Sequence, residues 1–207
     1  MFHVKQSDFL QSSKQLVQEH ESALNHYADQ LLWWNEKVNL VSRDVSRETI
    51  MKHVEHSIVL SPWLHELSHW VDAGTGGGLP GIPLAIVNPG VTFTLNDIVQ
   101  KKCTILKSMV RTLDLPNVQI QEGSIENVNL NTHMGVCTKH AFKIPQLLDM
   151  FHKTSSHPGA ILWLKGMEEA TKDINARKDR EAFEVFSLDC EYDPFYEGKA
   201  VVKWTAS

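Results

Sequence analysis

The chain has 207 residues, 42% hydrophobic and 22% charged, which suits one sizeable α/β core and excludes a low-complexity or disordered protein. A net charge of −5 argues against indiscriminate nucleic-acid binding, which grows with the cations set along a phosphate backbone, yet leaves room for a local basic face. No run approaches the roughly 18 apolar residues of a membrane span, the opening MFHVKQSDFLQSSKQ lacks the apolar core of a secretory signal, and the widely spaced Cys103, Cys137 and Cys190 suit reduced packing thiols, so a cytoplasmic protein is expected.

From Ser7 to Leu40 apolar residues such as Leu24, Tyr27, Leu31 and Trp34 recur at helical spacing, which predicts amphipathic helices. The polar turn SRDVSRE precedes a further helix over Glu48–Leu60, with Ser46 placed to cap it three residues before Thr49. Near His65 the period changes. Short apolar segments at Trp70–Ala73, Thr92–Asp97, Val118–Gln121, Met134–Thr138 and Ala160–Lys165 then alternate with helical ones at Ile82–Val87, Gln100–Leu113, Pro145–Lys153 and Met167–Arg180. Such alternation predicts a mostly parallel, twisted sheet with helices on both faces. Phe183–Leu188 and Ala200–Trp204 have strand composition and no helix after them, which suggests an antiparallel edge hairpin. Residues 1–64 are therefore expected to form a helical N-terminal extension to an α/β domain over 65–207.

Chemistry concentrates in WVDAGTGGGLPGIP, Trp70 to Pro83, where an apolar run ends in Asp72 and is followed by Gly74, Gly76, Gly77 and Gly78. Glycines permit backbone conformations and a close ligand approach that a β-carbon would block, as in a nucleotide-binding turn, and the next helix is expected to open at Pro80. Asp97 closes the strand TFTLND about twenty residues beyond the glycines, where nucleoside sites place a carboxylate on ribose hydroxyls. Its alternative role is to cap the following helix, with Gln100 completing a capping box. Glu126, in EGSIENV, follows the third strand and could lie beside an adenine ring. Lys165 and Gly166 end ILWLKG at the same carboxyl edge of the sheet, and Lys101, Lys102, Lys107 and Arg111 could form a phosphate-facing stripe on one helix. HELSH, His65 to His69, matches the zinc-protease pattern H-E-x-x-H, but Pro62 and the strand into Asp72 leave no helix long enough to carry both histidines, so no metal site is expected.

Five segments, LLWWNEKVNLVS (Leu31 to Ser42), KHVEHSIV (Lys52 to Val59), DAGTGGGLPGIPLAI (Asp72 to Ile86), FTLND with KK (Phe93 to Lys102) and LKG (Leu164 to Gly166), together resemble the bacterial 16S ribosomal RNA guanine-N7 methyltransferases, also called glucose-inhibited division protein B. The resemblance implies a class I, Rossmann-like, S-adenosylmethionine-dependent methyltransferase domain over 65–207, acting on 16S ribosomal RNA or the small subunit as a monomer. Gly74 and Leu79 match its cofactor loop, to which the glycine pattern adds Asp72, Gly76 and Gly78. Asp97 matches the ribose acid, and Ile125 with Glu126 matches the pair beside the adenine.

Three positions depart from that family: His56 stands for an aspartate, Ser124 for an arginine, and TKHAF for an S-R-A segment, putting His140 or Lys139 where an arginine is usual near cofactor and substrate. Lys139, His140 and Lys165 are then the expected polar contacts near the reacting centre, with His140 also near the cofactor. Guanine N7 carries an in-plane lone pair and attacks a sulfonium methyl without losing a proton, so no general base is needed and alignment carries the catalysis. Two other readings are a diverged cofactor-binding paralogue, motivated by the missing arginines, and an NAD-dependent oxidoreductase sharing the glycine loop.

Overall fold

The computed structural model describes residues 6–206, so the first five residues of the opening segment MFHVKQSDFLQSSKQ lie outside the described residues. Helices α1 (Gln6–Glu19) and α2 (Glu21–Asn35) fill most of the first helical stretch. Asn35 explains why α2 ends before Leu40. Its Oδ1 accepts from Leu40 N and Val41 N, both at 2.9 Å, and its Nδ2 donates to Ser42 O at 3.0 Å, turning the chain back on itself. Ser46 then caps α3 (Arg47–Ile58), accepting from Thr49 N at 3.1 Å.

After the short α4 (Ser61–Leu64), seven strands form one sheet: β1 (His69–Ala73), β2 (Thr92–Asp97), β3 (Val118–Glu122), β4 (Met134–Lys139), β5 (Ala160–Gly166), β6 (Phe183–Ser187) and β7 (Lys199–Thr205), ordered β3-β2-β1-β4-β5-β7-β6. Strands β1 to β5 pair in parallel, whereas β7 runs antiparallel to both β5 and β6. The expected C-terminal hairpin is present, with its second strand inserted inside the sheet and β6 at the edge. This antiparallel insertion separates the fold from the all-parallel dinucleotide order 3-2-1-4-5-6, which disfavours the oxidoreductase.

Period-2 alternation sends side chains to two cores. Trp70, Cys137, Leu162 and Leu164 pack with α1–α3, α5 (Gly81–Val87) and α6 (Gln100–Thr112), while Val71, Val136, Ile161 and Trp163 pack with α7 (Ile144–Thr154) and α8 (Met167–Asn175). The N-terminal helices thus share a core with one face of the sheet.

Two helix boundaries differ from expectation. Helix α8 stops at Asn175 rather than Arg180, because the positions that would extend the buried face beyond Ile174 are Arg177 and Lys178, and Arg177 instead curls onto Asp179 through two bonds of 2.8 Å. Helix α5 starts at Gly81, leaving Pro80 as its capping residue. Among the described residues no helix is long and apolar enough to cross a membrane.

Gly135 sits opposite Trp70 in the β1–β4 register, and a β-carbon there would come within 2.5 Å of the indole ring. Gly135→Ala is expected to destabilise the protein by about 1–3 kcal/mol through overpacking, read from a lower urea midpoint at unchanged slope.

Candidate functional site

The turn from β1 into α5 is shaped by two carboxylates. Asp72 is fully buried, and its Oδ2 accepts from Thr75 Oγ1 at 2.6 Å and from Gly81 N at 2.8 Å, tying the start of the loop to the start of the helix. Asp97 reaches across from β2, its Oδ2 accepting from Gly76 N at 3.0 Å and its Oδ1 from Val99 N at 2.9 Å. Between them Gly76 adopts φ +57°, and its missing β-carbon leaves a gap whose nearest neighbour is Leu40 O at 3.5 Å. A side chain here would be strained and would project into that gap.

The capping alternative for Asp97 is settled by this geometry. Helix α6 begins at Gln100 with Val99 before it, so no capping box joins Asp97 to Gln100; the carboxylate stabilises the turn through Val99 N instead. Lys102 Nζ lies 4.0 Å from Asp97 Oδ2, while Lys101, Lys107 and Arg111 are exposed on the same helix.

The loop forms one wall of a cleft of about 430 Å³, and the helical extension forms another. Gly74, Gly76, Leu79, Lys139 and His140 line it, as the sequence led us to expect. Six expected residues are absent from its lining, of which Asp97, Ile125 and Glu126 stand along the adjoining sheet edge. Asp72 is beneath the loop as its organiser, Gly77 rather than Gly78 supplies the further lining glycine, and Lys165 is absent from the lining, its ammonium bonded to Glu169 Oε1 at 2.9 Å and Phe142 O at 3.4 Å. Gly78 instead packs against Ile82, which leaves no room for a β-carbon.

Ile125 and Glu126 sit further along the sheet edge in a short 3-10 turn, where Ser124 Oγ accepts from Glu126 N at 3.3 Å and lies 3.1 Å from its Oε2. Asn96 Nδ2 fixes the approach to this turn by donating to Gln121 O and Gly123 O at 3.1 and 3.0 Å. Beside Asp97, Ile98 and Val99 are apolar yet 73% and 41% exposed, a shelf that the sequence analysis missed. It also missed the lining contribution of Val41, Val45 and His53 from the extension. Asn35 was the available signal, since an asparagine ending a helix often rebuilds the turn after it.

Lys139 is buried and donates from Nζ to His53 O at 2.9 Å and Ser57 Oγ at 3.5 Å, bridging β4 to α3. Burial, and then Lys199, push its amine down to about 7, with Asp72 opposing. His140, at φ +58°, is held below the usual imidazole range by burial and by Lys139, Lys165 and Lys199. A neutral imidazole at pH 7 does not reproduce an arginine. In HELSH, α4 ends at Leu64 before His65, and His69 begins β1 with its Nε2 2.8 Å from Thr94 Oγ1, so the two histidines share no helix. Among the described residues no group of three His, Cys, Asp or Glu side chains is placed to hold a metal.

Comparison with known proteins adds three findings. A family model described as rRNA small subunit methyltransferase G matches residues 20–191. Ribosomal RNA small subunit methyltransferase G of Chlorobaculum tepidum is 34% identical over 86% of this chain and 86% of its own, and that of Edwardsiella ictaluri is 35% identical over 78% and 80%. Among solved structures, an O-methyltransferase from Bacillus cereus in complex with SAH superposes with a TM-score of 0.54 at 16% identity, covering 87% of this chain and 90% of that one. The METTL16 methyltransferase domain superposes with a TM-score of 0.58 at 11% identity, covering 83% and 76%. At such identities the structural matches establish the fold.

Burial pushes Asp72 from 3.8 up to about 7, against the Thr75 and Gly81 donors and with help from Asp97. Between those two values the unfolded chain has released this proton while the folded chain retains it, so Asp72 makes stability fall as pH rises from about 4 to about 7. Asp72→Asn keeps one acceptor for Thr75 and Gly81 and removes the titration. The unfolding free energy of the unsubstituted protein should therefore fall relative to that of Asp72→Asn as pH rises through this window, by up to about 1.4 kcal/mol per pH unit; parallel curves would refute the assignment.

Proposed function

The chain belongs to the rRNA small subunit methyltransferase G family and is an S-adenosylmethionine-dependent RNA methyltransferase, and we propose that its acceptor is N7 of a guanosine in small-subunit ribosomal RNA. The observation that carries the reading is the carboxylate at the end of β2 bonded to the glycine loop at the end of β1. An ionised carboxylate offers about four lone-pair sites, of which Gly76 N and Val99 N use two, leaving acceptors for a ribose diol.

The residues present fit the cofactor. Asp97 would hold the ribose, the exposed Ile98 and Val99 would cover one face of the adenine with Ile125 and Glu126 at its edge, and Gly74, Gly76 and Leu79 would bound the methionine end. The cofactor supplies an electrophilic methyl group on a sulfonium. Because guanine N7 already presents a lone pair, the chain's task is to align that nitrogen and exclude water rather than to remove a proton. In A-form RNA the major groove, onto which N7 faces, is too narrow for side chains to enter, so the target is an unpaired or splayed guanine.

Lys139 and His140 are the polar groups placed to meet it. Lys165, engaged with Glu169, acts on the Phe142 segment instead. We propose that the protein acts as a monomer and in the cytoplasm, where small subunits are assembled. The departures at His56, Ser124 and His140 motivate a second reading, a paralogue that binds cofactor without modifying this RNA.

Two measurements check these assignments. Asp97→Ala removes charged hydrogen bonds and should weaken S-adenosylmethionine binding roughly 10- to 100-fold by calorimetry. Labelled S-adenosylmethionine offered with small subunits lacking the modification should give methyl incorporation at guanine N7; normal cofactor binding with no incorporation would favour the paralogue.

A further inference from the structure

Of the tryptophans, Trp33 near the end of α2 is the exposed one, with 52% of its surface open to solvent, while the others are buried or half-buried. Its pose is fixed on the surface. Trp34 packs against it edge-on, the ring centroids 4.6 Å apart at 85°, and Lys37, one helical turn on, donates from Nζ to Trp33 O at 3.1 Å and sets that ammonium 3.5 Å from the Trp33 ring centroid. From Lys37 the chain runs directly into Leu40, Val41 and Ser42, which line the cleft, so the exposed indole stands behind the cleft's lip rather than inside it.

Helix α2 packs against α6 on the same side of the sheet. Although Asp and Glu outnumber Lys and Arg by 25 to 20 in the chain, α6 carries Lys101, Lys102, Lys107 and Arg111 and no acid, whereas α1, α2, α3, α7 and α8 each carry at least one. Lys101, Lys107 and Arg111 are exposed over a length of about 15 Å at 1.5 Å of rise per residue, and among the described residues none of the three is in an ion pair. A face that served only solubility would mix the two signs. Cations of one sign beside an exposed, held aromatic ring are instead the combination that binds single-stranded nucleic acid, the cations following the phosphates and the ring stacking on a base of any identity.

We infer that the α2–α6 face is a docking surface for a single-stranded stretch of RNA flanking the target nucleotide, with Trp33 stacked on an unpaired base and Lys101, Lys107 and Arg111 set against phosphates. The inference rests on the methyltransferase reading, which brings an RNA to the neighbouring cleft. Glu36 and Asp44, exposed beside the lip, repel phosphates there and leave the α6 side as the open track. A base held on Trp33 keeps the strand open next to the target and so offsets part of the cost of presenting a splayed guanine to the cleft.

Binding of the full chain, saturated with S-adenosylhomocysteine, to small subunits lacking the modification and to their protein-free ribosomal RNA, followed over a series of salt concentrations, tests this. Trp33→Ala should weaken binding to both roughly 5- to 100-fold without changing the salt dependence. Trp33→Phe should keep most of the affinity, whereas Trp33→Leu, apolar but without a π face, should bind like the alanine variant. Replacing Lys107 and Arg111 together by glutamine should lower the slope of log affinity against log salt by about 1.4. All these positions are exposed, so each variant should bind S-adenosylhomocysteine as the unsubstituted chain does. Unchanged RNA affinity in Trp33→Ala, together with an unchanged slope in the double variant, overturns the surface and leaves the methyltransferase reading intact. An effect confined to assembled subunits and absent with protein-free RNA also overturns it, by assigning the face to a ribosomal protein. Failure of the unsubstituted chain to bind S-adenosylhomocysteine overturns the methyltransferase reading and the surface with it.

Discussion

The site depends on one buried acceptor. Asp72 Oδ2 gathers Thr75 Oγ1 and Gly81 N onto a single oxygen, which fixes where the chain leaves β1 and where α5 begins. A loop of glycines has no side chains to order itself, and each glycine loses more conformational freedom on folding than another residue would. The order must come from outside the loop. Asp72 supplies it from beneath and Asp97 from the side, through Gly76 N. With those contacts made, Gly74, Gly76 and Gly77 present backbone to the cleft, which allows a ligand to approach closely.

The helical extension takes part in the same construction. Tyr27 Oη donates to Gly77 O at 3.1 Å, Asn35 folds the segment from Leu40 to Ser42 against the cleft, and Lys139 joins β4 to the His53 carbonyl on α3. The first and third cross between the extension and the α/β domain, and the second shapes the part of the extension that borders the cleft. The shared core below them, running from Leu24 and Leu31 through Ile82 to Phe93, makes these contacts rigid. The division at His65 therefore marks a change of hydrophobic period along the chain, and the cleft is assembled from both sides of it.

That distinction explains what could be read from the sequence. The strands from Trp70, Thr92, Val118, Met134 and Ala160 were legible because they are short apolar runs bounded by polar turns, and Asp97 and the glycines because ligand sites in such sheets collect at the strands' carboxyl ends. Proximity across the sheet was not legible. Asp72 shares the strand end with the glycines, yet whether it faces the cleft or the helix beneath depends on the alternation of the pleat; its opposite neighbours Val71 and Ala73 pack on the other face. Lys165 ends β5 in the same way, and only the fold reveals that Glu169, one helical turn on, claims it. Ile98 and Val99 look in sequence like the start of a buried helix face, and their exposure follows from Asp97 drawing Val99 N back into a turn.

The departures at His56, Lys139 and His140 acquire a common physical sense in this arrangement. Methyl transfer to a neutral guanine moves one positive charge from sulfur to the purine and creates none, so the surroundings must accommodate a displacement of charge at constant total. Fixed dipoles of the glycine loop suit that task because they require no reorganisation as the charge moves. A permanently charged arginine brings the same field whether or not an anion is present. Bases held near or below neutrality behave differently: burial and mutual repulsion hold Lys139, His53 and His140 down, so this wall sets less fixed positive charge beside a sulfonium than an arginine would. His56, sealed behind them among Phe195 and Tyr196, is held down by the same burial, so the low charge of this wall follows from its packing.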